Sequence, residues 1–173
     1  RDRDFLPAAN YKLATNLENG RGVYSFCMCP GGYVVNASSE EKMTVVNGMS
    51  YSGRDSQNAN SAIIVSVGEN EYALDDPMGA IRFQRELERR TYELGQGKIP
   101  QQLFGDYVEG KKSTGYGAIL PITKGKTVLS DLTGILPSDV RSSLIEGMKI
   151  FDRKIKGFAN EEAILSGVES RTS

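Results

Sequence analysis

Apolar and polar positions keep two different rhythms along this chain. Up to about residue 67 they alternate or run in short apolar bursts, the pattern of strands; from Pro77 onward they recur at helical spacing. Residues 1–10 are charged and then loop-like. Residues 11–15 predict a first strand, Asn19-Gly20 and Arg21-Gly22 supply turn chemistry, and residues 23–28 predict a second strand. Pro30-Gly31-Gly32 turns the chain and residues 33–37 form the returning strand. Residues 43–46 predict another strand, 47–60 a long polar loop, and 61–67 a strand whose Ala62-Ile63-Ile64-Val65 core is apolar on both faces, as expected of a central, covered strand.

Asp75-Asp76-Pro77 has the form of a helix start, and Ile81, Phe83, Leu87 and Leu94 give that helix an apolar stripe that Gly95-Gln96-Gly97 ends. Pro100 is expected to open a shorter helix with Leu103, Phe104, Tyr107 and Val108. Residues 110–128 read as an irregular loop. Ser138 caps a last helix striped by Val140, Leu144, Met148, Phe151 and Ile155 and closed by Gly157. Residues 161–167 predict a turn or short helix and 168–173 an extended end. Strands followed by helices predict an α+β fold: a mainly antiparallel sheet from the N-terminal half, with helices from the C-terminal half packed on one face, in a single domain over residues 1–173.

Composition narrows the function classes. With 39% hydrophobic and 25% charged residues among 173, the chain is that of a folded domain with a core. A net charge of -1 without a basic run argues against nucleic acid or an anionic membrane as partner. No apolar stretch approaches the roughly 20 residues of a membrane span. The chain has no histidine, which excludes histidine-based acid–base chemistry and histidine metal sites within it. Two cysteines make no disulfide framework, so a reducing, cytoplasmic setting is expected. The first residue is Arg1, which suggests a piece excised from a longer protein.

The densest chemical signal is Phe26-Cys27-Met28-Cys29-Pro30-Gly31-Gly32. On a regular strand Cys27 and Cys29 would share a face with Val23 and Ser25, leaving Tyr24, Phe26 and Met28 for the core. A structural zinc needs four ligands, and two cysteines fall short. A disulfide across one intervening residue is geometrically strained. Two readings stay open: small, partly buried residues, or reactive thiols beside a ligand. Pro30, Gly31 and Gly32 serve a tight turn, or a backbone that a flat ligand approaches closely. The loop from Asn47 to Ser61 collects amides and hydroxyls around Arg54, which could hold a carboxylate or phosphate; a solvated loop satisfying its own backbone is the alternative. Gly115-Tyr116-Gly117 lacks the later glycine of a dinucleotide loop, and no Walker sequence exists.

Gly22 to Gly32, Val34-Val35-Asn36-Ala37-Ser38-Ser39-Glu40, Val46-Asn47-Gly48-Met49-Ser50, Arg54 and Asn58-Ala59-Asn60-Ser61-Ala62 together resemble the uncharacterised bacterial FAD-dependent, or NAD(FAD)-utilising, dehydrogenases. Phe151-Asp152-Arg153-Lys154-Ile155-Lys156-Gly157-Phe158 and residues 167–173 extend the likeness along most of the chain. In that family a Rossmann glycine motif lies upstream and a second glycine-rich FAD segment downstream, and neither is present here. The resemblance therefore implies a substrate-side or cap domain, with FAD bound by another domain of the same parent chain and not by this piece. It implies an oxidoreductase whose flavin and small-molecule substrate this domain would cover. Cys27 or Cys29 would act as a thiol or proton donor, and Arg54 would fix an anionic group or balance the reduced flavin. Gly31 and Gly32 would allow close approach, while Asn47, Ser50, Asn58 and Asn60 orient the ligand. The alternative is a non-catalytic domain that binds a ligand or partner.

Overall fold

The computed structural model describes residues 11–170; the expected loop over 1–10 and the end of the extended tail lie outside them. The class is α+β, with three helices and three small, mostly antiparallel sheets. The first sheet holds β1 (Leu13–Asn16), β2 (Gly22–Cys29) and β5 (Asn60–Val65) in the order β1-β2-β5, all antiparallel. The second holds β4 (Val46–Ser50), β3 (Gly32–Asn36) and β7 (Thr123–Lys124), with β3–β4 antiparallel and β3–β7 parallel. The third places β6 (Ile99–Leu103) between β8 (Thr127–Leu129), parallel, and β9 (Ile164–Ser166), antiparallel.

Helix α3 (Ser138–Asp152) lies against the first sheet, and α1 (Gly79–Gly95) and α2 (Phe104–Glu109) lie against β6. The stripe on α3 works as its spacing predicts: Val140, Met148 and Phe151 are buried, whereas Ile155 falls past the helix end and is exposed. Phe151 packs with Leu17 and Val23, flanked by Leu13, Ile63 and Val65. Gly147 allows the approach: a Cβ there would come within 2.8 Å of Val23 Cβ. Here the sheet contradicts the pattern, because Val23 and Ser25 are fully buried while Tyr24, Phe26 and Met28 are only half-buried. A serine enters the core because its hydroxyl is satisfied, 2.8 Å from Tyr11 Oη and 3.3 Å from Ser61 Oγ.

Four other elements differ from expectation. β2 and β3 do not pair: Pro30 and Gly31 carry the chain from the first sheet into the second instead of closing a hairpin. β5 is an edge strand; it is apolar on both faces because α3 covers one side and the second sheet approaches the other. Pro100 lies in a buried strand, registered with Val128 of β8 and one residue ahead of the β9 pairing that begins at Gln101. Its carbonyl still accepts from Gly167 N–H at 2.8 Å. Residues 164–166 are strand, not turn or helix, because β6, some sixty positions earlier in the chain, offers them an edge.

Candidate functional site

The corner where the first sheet hands over to the second gathers most of the expected site. β2 pairs regularly with β5 as far as Phe26↔Ala62, then slips, and resumes at Cys29↔Asn60. Cys27 sits in this bulge with φ 55°, a left-handed conformation that costs a non-glycine residue roughly 1–2 kcal/mol. The bulge breaks the alternation that would have put both thiols on one face. Cys27 is exposed, and Cys29 is half-buried, its Sγ 3.5 Å from Cys27 O.

The segment after β4 folds back onto this corner. Gly32 N–H donates to Asn58 O at 2.9 Å, and Ser56 Oγ donates to Gly32 O at 3.0 Å. Ser50 Oγ donates to Pro30 O at 3.0 Å, and Asn58 Nδ2 to Leu120 O at 2.7 Å. The two glycines are both required, for reasons inside the chain. A Cβ on Gly32 would lie 2.5 Å from Cys29 O and 2.8 Å from Asn60 Nδ2; one on Gly31, at φ 55°, would lie 2.7 Å from Asp55 N and run into the Arg54 carbonyl. A Cβ on Gly48 would likewise lie 3.4 Å from Cys29 Sγ and run into the Asn60 amide oxygen. The space freed by these glycines is thus filled by this chain's own backbone and by Asn60. What the corner offers outward is the Cys27 thiol and the Arg54 side chain, both exposed. Arg54 is itself left-handed, φ 47°, and its N–H donates to Tyr51 O at 3.1 Å.

Cys29, Gly31, Gly32, Ser50, Arg54, Asn58 and Asn60 therefore converge, and Cys27 stands at their edge. Asn47 does not join them. It is exposed on β4 opposite Val35, and strand alternation sets it on the other side from Gly48. That side carries residues that no local pattern singles out. Tyr33 and Tyr51 meet edge to face with ring centroids 5.4 Å apart, and Lys124 Nζ lies 4.7 Å and 5.2 Å from them. Lys124 comes from the stretch read as irregular; only the parallel β3–β7 pairing, which no local pattern announces, brings it there.

Two cavities lie away from the corner. One of 490 Å³ is lined by Tyr72, Phe83, Arg82 and Arg90, and one of 390 Å³ by Phe104, Asp106, Glu161 and Glu162. In the first, each arginine is already held by a carboxylate: Arg82 by Asp76, and Arg90 by Glu86 at 2.8 Å. Among the described residues no group of three or more Cys, Asp or Glu is placed to hold a metal ion, and no helix is long and apolar enough to cross a membrane.

Residues 1–172 match the family described as FAD-dependent protein, C-terminal domain-like, and the chain belongs to it. It is also 47% identical over 171 residues to a protein of Clostridium beijerinckii described only as an uncharacterized protein. That alignment covers 97% of this chain but 32% of the relative, so the chain spans about a third of the relative's length. The family description places such chains as C-terminal domains of FAD-dependent proteins.

Proposed function

We propose that this chain acts as one substrate-side domain of an FAD-dependent dehydrogenase, and that the corner of residues 27–32 and 50–60 is the part turned toward the flavin and its small-molecule substrate. The observation that carries this reading is the clustering of strained backbone. Cys27, Gly31 and Arg54 are all left-handed, two of them are not glycine, and all three belong to one corner. Strain of this kind persists where surrounding structure over-determines it, and it gathers at ligand-contacting sites. The outward groups there also suit a flavin: a thiol and a guanidinium that forms no ion pair among the described residues.

FAD, when bound by its own domain, supplies the redox chemistry. This chain's part is positioning and electrostatics. Arg54 places a permanent positive charge for an anionic substrate group or for the negative charge of the reduced ring, and Cys27 presents a polarizable S–H donor. Ser50, Asn58 and the glycines hold those two in place through the corner's own hydrogen bonds, so they are positioning residues. Asn60 and Cys29 pack between the two sheets and fix the bulge.

The test uses the full-length FAD-loaded protein with Arg54→Ala and Cys27→Ser. Loss of the Arg54 charge is expected to lower the flavin midpoint potential, and the serine is expected to shift the visible flavin spectrum. Wild-type potential and spectrum in both variants would remove the corner from the flavin's surroundings.

A further inference from the structure

The outward side of the second sheet, opposite the corner, holds a second arrangement with a chemistry of its own. Tyr33, Val35 and Met49 are half-buried on that side, Tyr51 is 49% exposed, and Lys124 is paired with Val35 by the parallel register. The Lys124 ammonium lies over both tyrosine rings, an attraction that holds a flexible side chain in one place. Among the described residues no carboxylate lies within ion-pair distance of it, in contrast with Lys111, which pairs with Glu109 at 2.5 Å. Neither phenol hydroxyl has a hydrogen-bond partner among the described residues. Among the described residues, then, a fixed, unneutralised cation and two unpaired hydroxyls border a floor of Met49 and Val35.

We infer that Lys124, Tyr33 and Tyr51 form a binding subsite for an organic monocarboxylate with an apolar body. The ammonium and the phenol hydroxyls take the carboxylate through charge-assisted bonds, and the apolar body lies along Met49 and Val35. Because the aromatic rings order the lysine beforehand, little side-chain freedom remains to be lost on binding. One cation beside an apolar floor suits a monoanion; a phosphate would call for a guanidinium fork or converging backbone N–H groups, which this side of the sheet does not provide. The inference goes beyond the flavin reading and stands without it.

The full-length protein, methyl-labelled at methionine, is titrated with benzoate and with inorganic phosphate, reading the Met49 methyl resonance. Benzoate is expected to shift it saturably. Lys124→Met is expected to weaken that binding about tenfold, the loss of one charge-assisted contact, and Lys124→Arg to retain most of it. Tyr51→Phe, which keeps the ring and removes the hydroxyl, is expected to weaken binding less than Lys124→Met. No saturable shift with benzoate, equal affinity in wild type and Lys124→Met, or phosphate binding as tightly as benzoate would each overturn the inference. Flavin potentials unchanged by the corner variants would leave this result untouched, so the two readings fail separately.

Discussion

The third sheet and the corner between the first two sheets treat polar groups in opposite ways. In β6, Gln101 and Gln102 are both buried, and each amide is used on both sides. Gln101 Nε2 donates to Ser166 Oγ at 2.9 Å and Thr123 Oγ1 at 3.1 Å, while its Oε1 accepts from Tyr116 Oη at 2.7 Å. Gln102 Nε2 donates to Lys111 O, and its Oε1 accepts from Leu132 N–H, both at 2.7 Å. Burial there is compensated within the chain, so those side chains have nothing left for a ligand. At the corner and on the sheet face behind it, thiol, guanidinium and ammonium stand outward while the backbone beneath them is strained or glycine-bound. The difference separates a scaffold, whose polar atoms close on themselves, from a surface whose polar atoms are held in position and left open.

The comparison is broken most sharply by one equivalent change in each region. Gln102→Leu keeps volume but strands the Leu132 N–H and the Lys111 carbonyl in a buried setting. With about 1–3 kcal/mol for each unsatisfied group, we expect a loss of about 3 kcal/mol, read as a lower urea midpoint at unchanged m-value. Asn47→Leu, on an exposed strand position, should stay within about 0.5 kcal/mol of wild type. Similar losses at both positions would mean that the outward face is as much a part of the scaffold as β6.

How far the sequence discloses this division depends on whether the deciding contact is local. The α3 stripe and the left-handed stop at Gln96 are local, and both are legible. The α+β class follows from the order of the two rhythms. The convergence of the Cys-Pro-Gly-Gly turn with the Arg54–Asn60 stretch was accessible because both segments carry unusual small and amide residues. What stayed hidden was set by pairing at a distance. Pro100 looks like a helix opener unless β8 and β9 are known to flank it, and Lys124 looks like any loop lysine until β7 is laid beside β3. The bulge at Cys27 was hidden as well: alternation alone puts the two thiols together, and only the slipped β2–β5 register parts them.

A smaller effect of opposite sign sharpens the contrast. Cys27 pays for its left-handed backbone, so Cys27→Gly should relieve it. Against the extra freedom glycine gains in the unfolded chain, the net expectation is a stabilisation of about 0.5–1 kcal/mol. Under the proposed function the same variant, in the FAD-loaded full-length protein, should lose the flavin-spectral response attributed to the thiol. A residue that stabilises the fold when removed and weakens the chemistry when removed is what a retained strained site predicts. Destabilisation by Cys27→Gly would show that the side chain packs and that the strain argument has the wrong cause.

The smallest expected effect is acid sensitivity, and it belongs to the scaffold. A hydrogen bond from Arg21 holds the Asp139 carboxyl below its ordinary value of 3.8, and bonds from Arg90 and then Arg89 hold Glu86 below 4.5. For such lowered groups the stabilisation is fully present above the unfolded values and is lost as pH falls through the folded ones. Glu169 runs the other way: burial raises its carboxyl above 4.5, so its contribution is present below that value and fades as pH rises through the folded one. The Asp139 and Glu86 pairs are exposed and screened, so the loss is a modest fall in urea midpoint on going below pH 4.5. Arg21 also donates to Glu71 at 2.5 Å and to Ser66 O at 2.8 Å, so the Asp139 contact is one arm of a clamp joining the turn after β1 to α3. Amide protection in α3 should therefore weaken on acidification before that of β6. Asp139→Asn should flatten the acid limb while leaving the midpoint at pH 7 lower by no more than a surface pair contributes. If protection in β6 falls first, the acid-labile contacts lie elsewhere than in the clamp.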